Sequence, residues 1–193
     1  MKATASTGLN WRGMTDAYIQ VLTRPSEASF QAAKASSNSS STLIALLIVG
    51  AIVGLFSRLT SGDLGAVVTG IVLGAILGVI GYYIVQVILL IFAKLFGGRG
   101  SLGVQANTLV TFYAPLTLLN AIFGLVPVFG LFVSLVIAIY ELVLLTFGLK
   151  AVHEYSTGKA ILTWLTPALV VIVILAILLI VFGALILRSL SSL

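Results

Sequence analysis

From residue 42 onwards, the chain alternates between long apolar stretches and short polar breaks. The apolar stretches cover residues 42–57, 64–96, 104–123, 129–152 and 159–187. A helix needs about 20 apolar residues to cross the hydrocarbon core of a bilayer, with a range of roughly 17 to 25. Four of the stretches reach that length, and the first comes close to it. The pattern therefore predicts an all-α integral membrane protein with five transmembrane helices.

The second stretch is long enough to raise the question of whether it crosses the membrane once or twice. As a single helix, residues 64–96 would extend about 50 Å. Two crossings would need about 40 apolar residues, which is more than this stretch contains. We therefore predict one extended or tilted helix at this position.

The polar breaks differ in their content of basic residues. Segments on the cytoplasmic side of a membrane carry an excess of Lys and Arg. With five spans and a cytoplasmic N-terminus, most basic residues fall on the cytoplasmic side: Lys2, Arg12, Arg24, Lys34, Lys94, Arg99, Lys150 and Lys159. Arg58 and Arg188 fall on the outer side. The partition predicts that the N-terminus, the Gly-rich turn at 97–101 and the polar loop at 153–158 face the cytoplasm.

Ahead of the first stretch lies a polar segment with a few apolar residues at helical spacing. Tyr18, Val21 and Leu22 fall on one face of a short helix that ends at the following proline, and Phe30 belongs to a second short piece. We predict that residues 14–35 form a broken amphipathic helix lying at the membrane interface. A solvated tail is the alternative that this composition leaves open.

The chain divides into two parts at the start of the first apolar stretch. Residues 36–41 are serine apart from one asparagine, which predicts a flexible linker. Residues 1–41 are thus expected to form a cytoplasmic N-terminal segment, and residues 42–193 a five-span membrane domain. A cleavable signal peptide has its apolar core directly after a basic start. The first stretch begins too late for that, so we expect it to remain in the protein.

Composition narrows the class of function. Hydrophobic residues make up 60% of the chain and charged residues 8%, against roughly 25% charged in an ordinary soluble domain. The formal net charge of +5 does not indicate nucleic-acid binding, because no basic patch is interleaved with aromatic residues. The chain has no Cys, which excludes disulfides, thiolate chemistry and cysteine-based metal sites.

Small residues recur at every fourth position around the start of the second stretch. This small-residue stripe consists of Gly62, Ala66, Gly70, Gly74 and Gly78. Helices in lipid associate through small residues because these let the backbones approach closely. Gly50 and Gly54 on the first span offer a matching surface. The stripe therefore predicts tight packing against another helix, either within the chain or in a second copy.

Glu141 is the single charged residue between positions 131 and 149. An ionised carboxylate near the middle of a bilayer costs several kcal/mol unless it is protonated, paired or hydrated. We expect a protonated, hydrogen-bonded structural role, with a proton carrier or cation ligand as the alternative. The sequence offers neutral partners in the neighbouring spans: Asn107, Asn120, Gln86 and Tyr140.

His153 is the only histidine, and it stands beside Glu154 without the two-His spacing of a zinc helix. We predict that it lies on the surface with Arg99, Lys150 and Lys159, where these residues contact anionic lipid or a partner. No Ser, His and acid fall at a matched depth, and no nucleophile elbow is present. The sequence therefore predicts no catalytic site, metal or cofactor.

Three groups of residues, through their order and spacing along the chain, resemble the Yip family of five-span membrane proteins. The first is Phe96-Gly97-Gly98-Arg99-Gly100-Ser101 followed by Tyr113-Ala114-Pro115; the second is Gly148-Leu149-Lys150-Ala151-Val152-His153 with Ser156 and Lys159-Ala160; the third is Val21-Leu22, Pro25 and Phe30. The resemblance implies a cytoplasmic N-terminus, a bundle of five helices and no enzymatic activity.

Eukaryotic relatives in this family bind Rab-type GTPases and act in traffic between the endoplasmic reticulum and the Golgi. The N-terminal arm of this chain is short and weakly basic, and it lacks the long acidic, Pro-rich stretch of those relatives. The chain is thus more similar to the prokaryotic branch. We expect a prokaryotic plasma membrane and no Rab-type partner.

Together these features predict a non-enzymatic scaffold that organises the membrane or binds partners, or an accessory subunit of a larger membrane complex. Its expected partners are the lipid bilayer, other membrane proteins and a second copy of the chain. The alternative is a small transporter or channel that uses Glu141. A transporter needs a polar path with interrupted helices around a midplane site, and only Pro115 interrupts a span centrally.

Overall fold

The structure, a computed structural model, describes residues 11–36 and 38–190 and contains seven α-helices within these ranges. Two short helices come first, α1 at Trp11–Thr23 and α2 at Glu27–Ser36. Five long helices follow: α3 at Ser39–Arg58, α4 at Leu64–Leu95, α5 at Leu102–Phe123, α6 at Pro127–His153 and α7 at Thr157–Leu190. Lys2, which enters the topology prediction, and Ser37 in the predicted linker lie outside the described residues.

Each of the five long helices is apolar and long enough to cross a membrane. The predicted five-span, all-α architecture is therefore confirmed. The second stretch forms one helix of 32 residues, as its length predicts. The predicted serine linker is mostly helical, because α2 continues to Ser36 and α3 begins at Ser39. Asn38 caps α3 by accepting a hydrogen bond from the Ser41 amide at 2.8 Å, which satisfies a free N–H at the helix start.

The five long helices run up and down, so the bundle has two ends. The near end carries the turn at 96–101 and the loop at 154–156, and the N-terminal helix pair, α1 and α2, lies against it. The far end carries the connections at 59–63 and 124–126. Helix α3 packs along α4 and against α5, α5 packs against α6, and α7 contacts α4 and α6.

The N-terminal helix pair packs against the long helices. Val21 and Phe30 are fully buried in a cluster with α5 and α6. The Phe30 ring meets Phe112 edge to face with centroids 6.1 Å apart, and a β-carbon on Gly148 would stand 3.1 Å from it. The break between two short helices agrees with the sequence prediction, and their apolar side packs against α5 and α6. The glycine on α6 leaves room for this ring, and such a fit between distant segments has no local sequence signal.

Polar contacts fix the same pair to the near end. Lys150 forms an ion pair with Glu27 at 2.9 Å, and Lys34 forms one with Glu154 at 3.4 Å. Gln31 donates a hydrogen bond to the carbonyl of Ala151 at 3.0 Å. Because the ion pairs are partly exposed, the buried aromatic contact contributes more to this docking than they do.

Candidate functional site

Helices α3 and α4 approach each other through glycine. A β-carbon on Gly74 would stand 2.8 Å from the Cα of Gly54, and one on Gly70 would stand 2.6 Å from the carbonyl oxygen of Gly54. Gly78 faces Gly50 in the same way, at 3.2 Å from its Cα. Carbon atoms pack at about 3.5–4.0 Å, so these positions have no room for a side chain. The structure thus places this part of the stripe in an interface within the chain.

The first two members of the stripe lie elsewhere. Gly62 ends the short 3₁₀ turn before α4 with a φ of 70°, and nothing lies within 4 Å of the place where its β-carbon would stand. Its prediction as a packing residue is wrong, because the helix begins only at Leu64. Ala66 lines a gap between α3 and α4 at the far end, next to Arg58. The close contact therefore begins at Gly70.

A second constellation joins α4, α5 and α6 at the near end. His153 is fully buried, and its Nε2 lies 2.8 Å from Oε1 of Gln105. Gln105 is also fully buried, and its amide nitrogen donates to both the side-chain and the backbone oxygen of Gln86, each at 2.9 Å. On its other side, Nδ1 of the histidine accepts a hydrogen bond from the Gly100 amide at 3.1 Å. We call these four residues the polar network.

The geometry of the polar network assigns the histidine tautomer. A backbone amide can only donate, so Nδ1 of His153 has to carry a lone pair. Nε2 of His153 then carries the hydrogen and donates it to the side-chain oxygen Oε1 of Gln105. The side-chain nitrogen of Gln105 is left to donate to Gln86. The hydrogen bonds therefore run in one direction, from Gly100 through His153 and Gln105 to Gln86. A ring with two N–H groups would break the contact with Gly100.

The glycine turn between α4 and α5 closes over the histidine ring. A β-carbon on Gly98 would stand 2.6 Å from Nδ1 of His153 and 2.8 Å from the carbonyl oxygen of Ala93. Gly97 adopts a φ of 86°, a left-handed conformation that glycine reaches without strain. The turn thus buries a residue that the sequence predicts to be exposed. That prediction for His153 is wrong, since α6 continues through it and the turn covers it.

The other predicted surface residues divide into two groups. Arg99 and Lys159 are exposed at the near end, where they are available to lipid or a partner. Lys150 is instead held by Glu27. Gln105 was not predicted as a site residue at all. An isolated amide in an apolar span was its available signal, but a sequence pattern does not reveal which partners it finds.

Glu141 lies near the middle of α6, about 20 Å along the helix from Pro127. It lines a cavity of about 350 Å³ between α4, α5 and α6. Its carboxyl group makes no hydrogen bond or ion pair to any residue that the structure describes. Gln86 lines the same cavity. The cavity is otherwise walled by apolar and aromatic side chains.

The residues predicted to hydrogen-bond the carboxyl group of Glu141 either lie outside its cavity or bond to other groups. Tyr140 donates to the carbonyl oxygen of Leu22 in the N-terminal helix pair. Asn107 donates to the Ser39 hydroxyl at 3.1 Å. Asn120 and Asn107 each keep a buried side-chain oxygen with no hydrogen-bond partner among the described residues, and neither lines the cavity. The predicted hydrogen-bonded role of Glu141 is therefore wrong within the described part of the chain.

The protein has five helices that are apolar and long enough to cross a bilayer, and a buried polar network lies at one end of them. These features define a polytopic integral membrane protein. A scan against protein families matched the Yip1 domain over residues 19–183. The chain belongs to this family, and the match runs from the second half of α1 into α7. No curated protein and no solved structure matched the chain.

Proposed function

We propose that this protein is a non-enzymatic scaffold that organises the membrane or binds partners, or an accessory subunit of a larger membrane complex. The observation that supports this proposal is the exposure of α7. Its first turns are held by the bundle, where Ala160 and Thr163 are fully buried and Trp164 donates to the Thr146 hydroxyl at 3.0 Å. Beyond Pro167, every residue from 168 to 182 is exposed.

This free part of α7 runs for about 22 Å and carries only apolar side chains. None of its residues is buried in the bundle. Lipid can cover such a surface, and so can another transmembrane helix, because helices in lipid associate by packing alone. A span that is anchored at one end and uncovered along the rest suits a subunit that joins other membrane proteins.

The chemistry of the described residues also favours a scaffold over an enzyme. Within residues 11–36 and 38–190, no three His, Asp or Glu side chains are grouped to hold a metal ion. The histidine and glutamines of the polar network bond to one another and to the turn that covers them. These groups support the fold of the near end.

We further propose that the near end faces the cytoplasm of a prokaryotic cell and that the protein lies in the plasma membrane. The proposal rests on the uneven partition of Lys and Arg between the two ends. Exposed Arg99 and Lys159 then lie at the inner surface, where each basic residue gains about 1 kcal/mol from anionic lipid.

The test of the scaffold proposal is site-directed cross-linking from α7 in native membranes. Because the chain has no Cys, single Cys variants at Val173 and Leu179 can carry a photoreactive label, with Val136 on α6 as the exposed control. We expect protein adducts of defined mass from α7 and none from Val136. An adduct of twice the chain mass identifies a second copy. Lipid adducts alone at all three positions would contradict the proposal.

The cavity beside Glu141 favours a second function, a small transporter or channel. This function requires proton or cation flux through the purified protein in proteoliposomes. It also requires that Glu141→Gln abolish the flux while the variant keeps the wild-type melting temperature. The scaffold proposal predicts no flux above that of empty liposomes for either protein.

A further inference from the structure

The cavity between α4, α5 and α6 holds two polar groups that the fold does not use. The carboxyl group of Glu141 has no partner among the described residues, and neither has the amide nitrogen of Gln86, whose oxygen alone accepts from Gln105. The Gln86 side chain is nevertheless 96% buried, as its residue is only 4% exposed. The amide group of Gln86 is therefore buried and hydrogen-bonded through its oxygen, and its N–H groups are available to a ligand in the cavity.

The cavity has the size and lining of a ligand site. Its volume of about 350 Å³ falls at the lower end of the roughly 300–1,000 Å³ that small-molecule pockets occupy. Such pockets are mostly apolar with a few placed polar groups, and this one follows that composition. Val85 and Leu142 line it and are 52% and 40% exposed, so it opens on the lipid-facing side of the bundle. A ligand would therefore enter from the membrane.

The charges select the chemistry of the ligand. No basic side chain lines the cavity among the described residues, so the carboxyl group of Glu141 is uncompensated. A neutral amine can reach this depth through lipid. There the carboxyl O–H bond breaks and a new N–H bond forms, which yields an ammonium and a carboxylate without any net change in charge. The attraction between them is strong in a medium of low dielectric constant.

We propose that this cavity binds an amphiphile through its primary amine head. The ammonium group pairs with Glu141, and an alkyl chain lies between α4 and α6 towards the cavity mouth. Gln86 donates its free N–H to an oxygen next to the amine where the head carries one. The amine can belong to a free alkylamine or to the headgroup of an aminophospholipid, since both present the same ammonium group.

The test uses the full chain in phosphatidylcholine nanodiscs and a photoreactive alkylamine with its diazirine at the end of a ten-carbon chain. Labelled residues are mapped by peptide mass spectrometry. We expect saturable labelling on α4 and α6 around the cavity mouth. Decylamine should compete, decanol should compete weakly, and decanoate should not. Competition by added phosphatidylethanolamine identifies the lipid headgroup as the source of the amine, and its absence identifies the free amine.

Two pairs of variants separate the site from general effects. Glu141→Gln should lower the apparent affinity for decylamine about tenfold or more, because it removes one member of a buried ion pair. Asp63→Asn makes the same acid-to-amide change at the start of α4, outside the cavity, and should leave the affinity unchanged. Ala138→Trp should fill the cavity and block labelling, while Val136→Trp on the exposed face should not.

Gel filtration and melting temperature confirm that each variant is folded before its labelling is compared. Equal affinity of wild type and Glu141→Gln would overturn the proposal. So would equal competition by decylamine and decanoate, or labelling spread over the exposed faces with no saturation. If Glu141→Gln does not fold, the labelling of Ala138→Trp and the competition series on the wild type still test the proposal.

Discussion

A β-carbon at Gly74 is the sharpest perturbation of the membrane bundle. In Gly74→Ala, the new methyl group would stand 2.8 Å from the Cα of Gly54 and also press on the backbone of Gly50. Carbon atoms need about 3.5 Å, so α3 and α4 have to move apart by roughly 1 Å. Because both contacts are backbone, no side-chain rotation can relieve them.

The magnitude follows from two opposing effects. Overpacking of this kind costs about 1–3 kcal/mol. Replacing Gly by Ala inside a helix contributes up to about 1 kcal/mol of stabilisation from propensity alone. Gly81→Ala on the same helix isolates the second effect, since nothing lies within 4 Å of its β-carbon position. The difference between the two variants therefore equals the overpacking cost.

The assay is thermal unfolding of both variants in the same mild detergent, followed by the loss of the monodisperse gel-filtration peak. For a chain of this length, 1 kcal/mol shifts the melting temperature by about 2–4 °C. We expect Gly74→Ala to melt about 2–12 °C below Gly81→Ala, and Gly74→Leu to melt lower still, whereas Val72→Leu at an exposed site should match the wild type. Equal melting temperatures of the two alanine variants would refute the close glycine contact.

Three further predictions concern the near end. Ser156→Cys should react with an impermeant maleimide only after intact cells are opened, whereas labelling from outside would reverse the proposed topology. His153→Phe leaves two buried partners unsatisfied at about 1–3 kcal/mol each, so its melting temperature should fall by several degrees, and an unchanged value would contradict the polar network. Phe30→Ala should cost about 3–5 kcal/mol of docking and speed tryptic cleavage after Lys34 in α2, while Ile19→Ala, 60% exposed, should not; equal cleavage rates would rule out the docked helix pair.

Features that depend on local length and composition could be predicted from the sequence. The five spans follow from runs of apolar residues, and α4 is one helix because its run is too short for two crossings. The spacing of Gly70, Gly74 and Gly78 puts these residues on one side of a helix, whatever the rest of the chain does. Gly62 fits the same spacing but lies before the start of the helix, so the spacing alone wrongly included it in the stripe.

Features that depend on contacts between distant segments could not be predicted. His153 follows an apolar run and precedes polar residues, which is typical of an exposed loop. Its burial depends on a turn more than fifty positions earlier and on Gln105 from another helix. The surroundings of Glu141 were equally hidden from the sequence. A lone acid in a span suggests a hydrogen-bonding partner, but the residues around its cavity are mostly apolar and aromatic, with one amide from Gln86.

The docking of Phe30 against Gly148 sets an order of assembly during synthesis. The N-terminal helix pair leaves the ribosome before the five spans, and the glycine and the carbonyl of Ala151 that receive it are made about 120 residues later. At about 5–20 residues per second, the pair waits roughly 6–24 s for its docking surface. During that interval Val21 and Phe30 lack the α6 side of their cluster, so a chaperone or the bilayer surface has to cover what is left exposed. A segment that is made before the five spans is then among the last parts of the bundle to reach its final position.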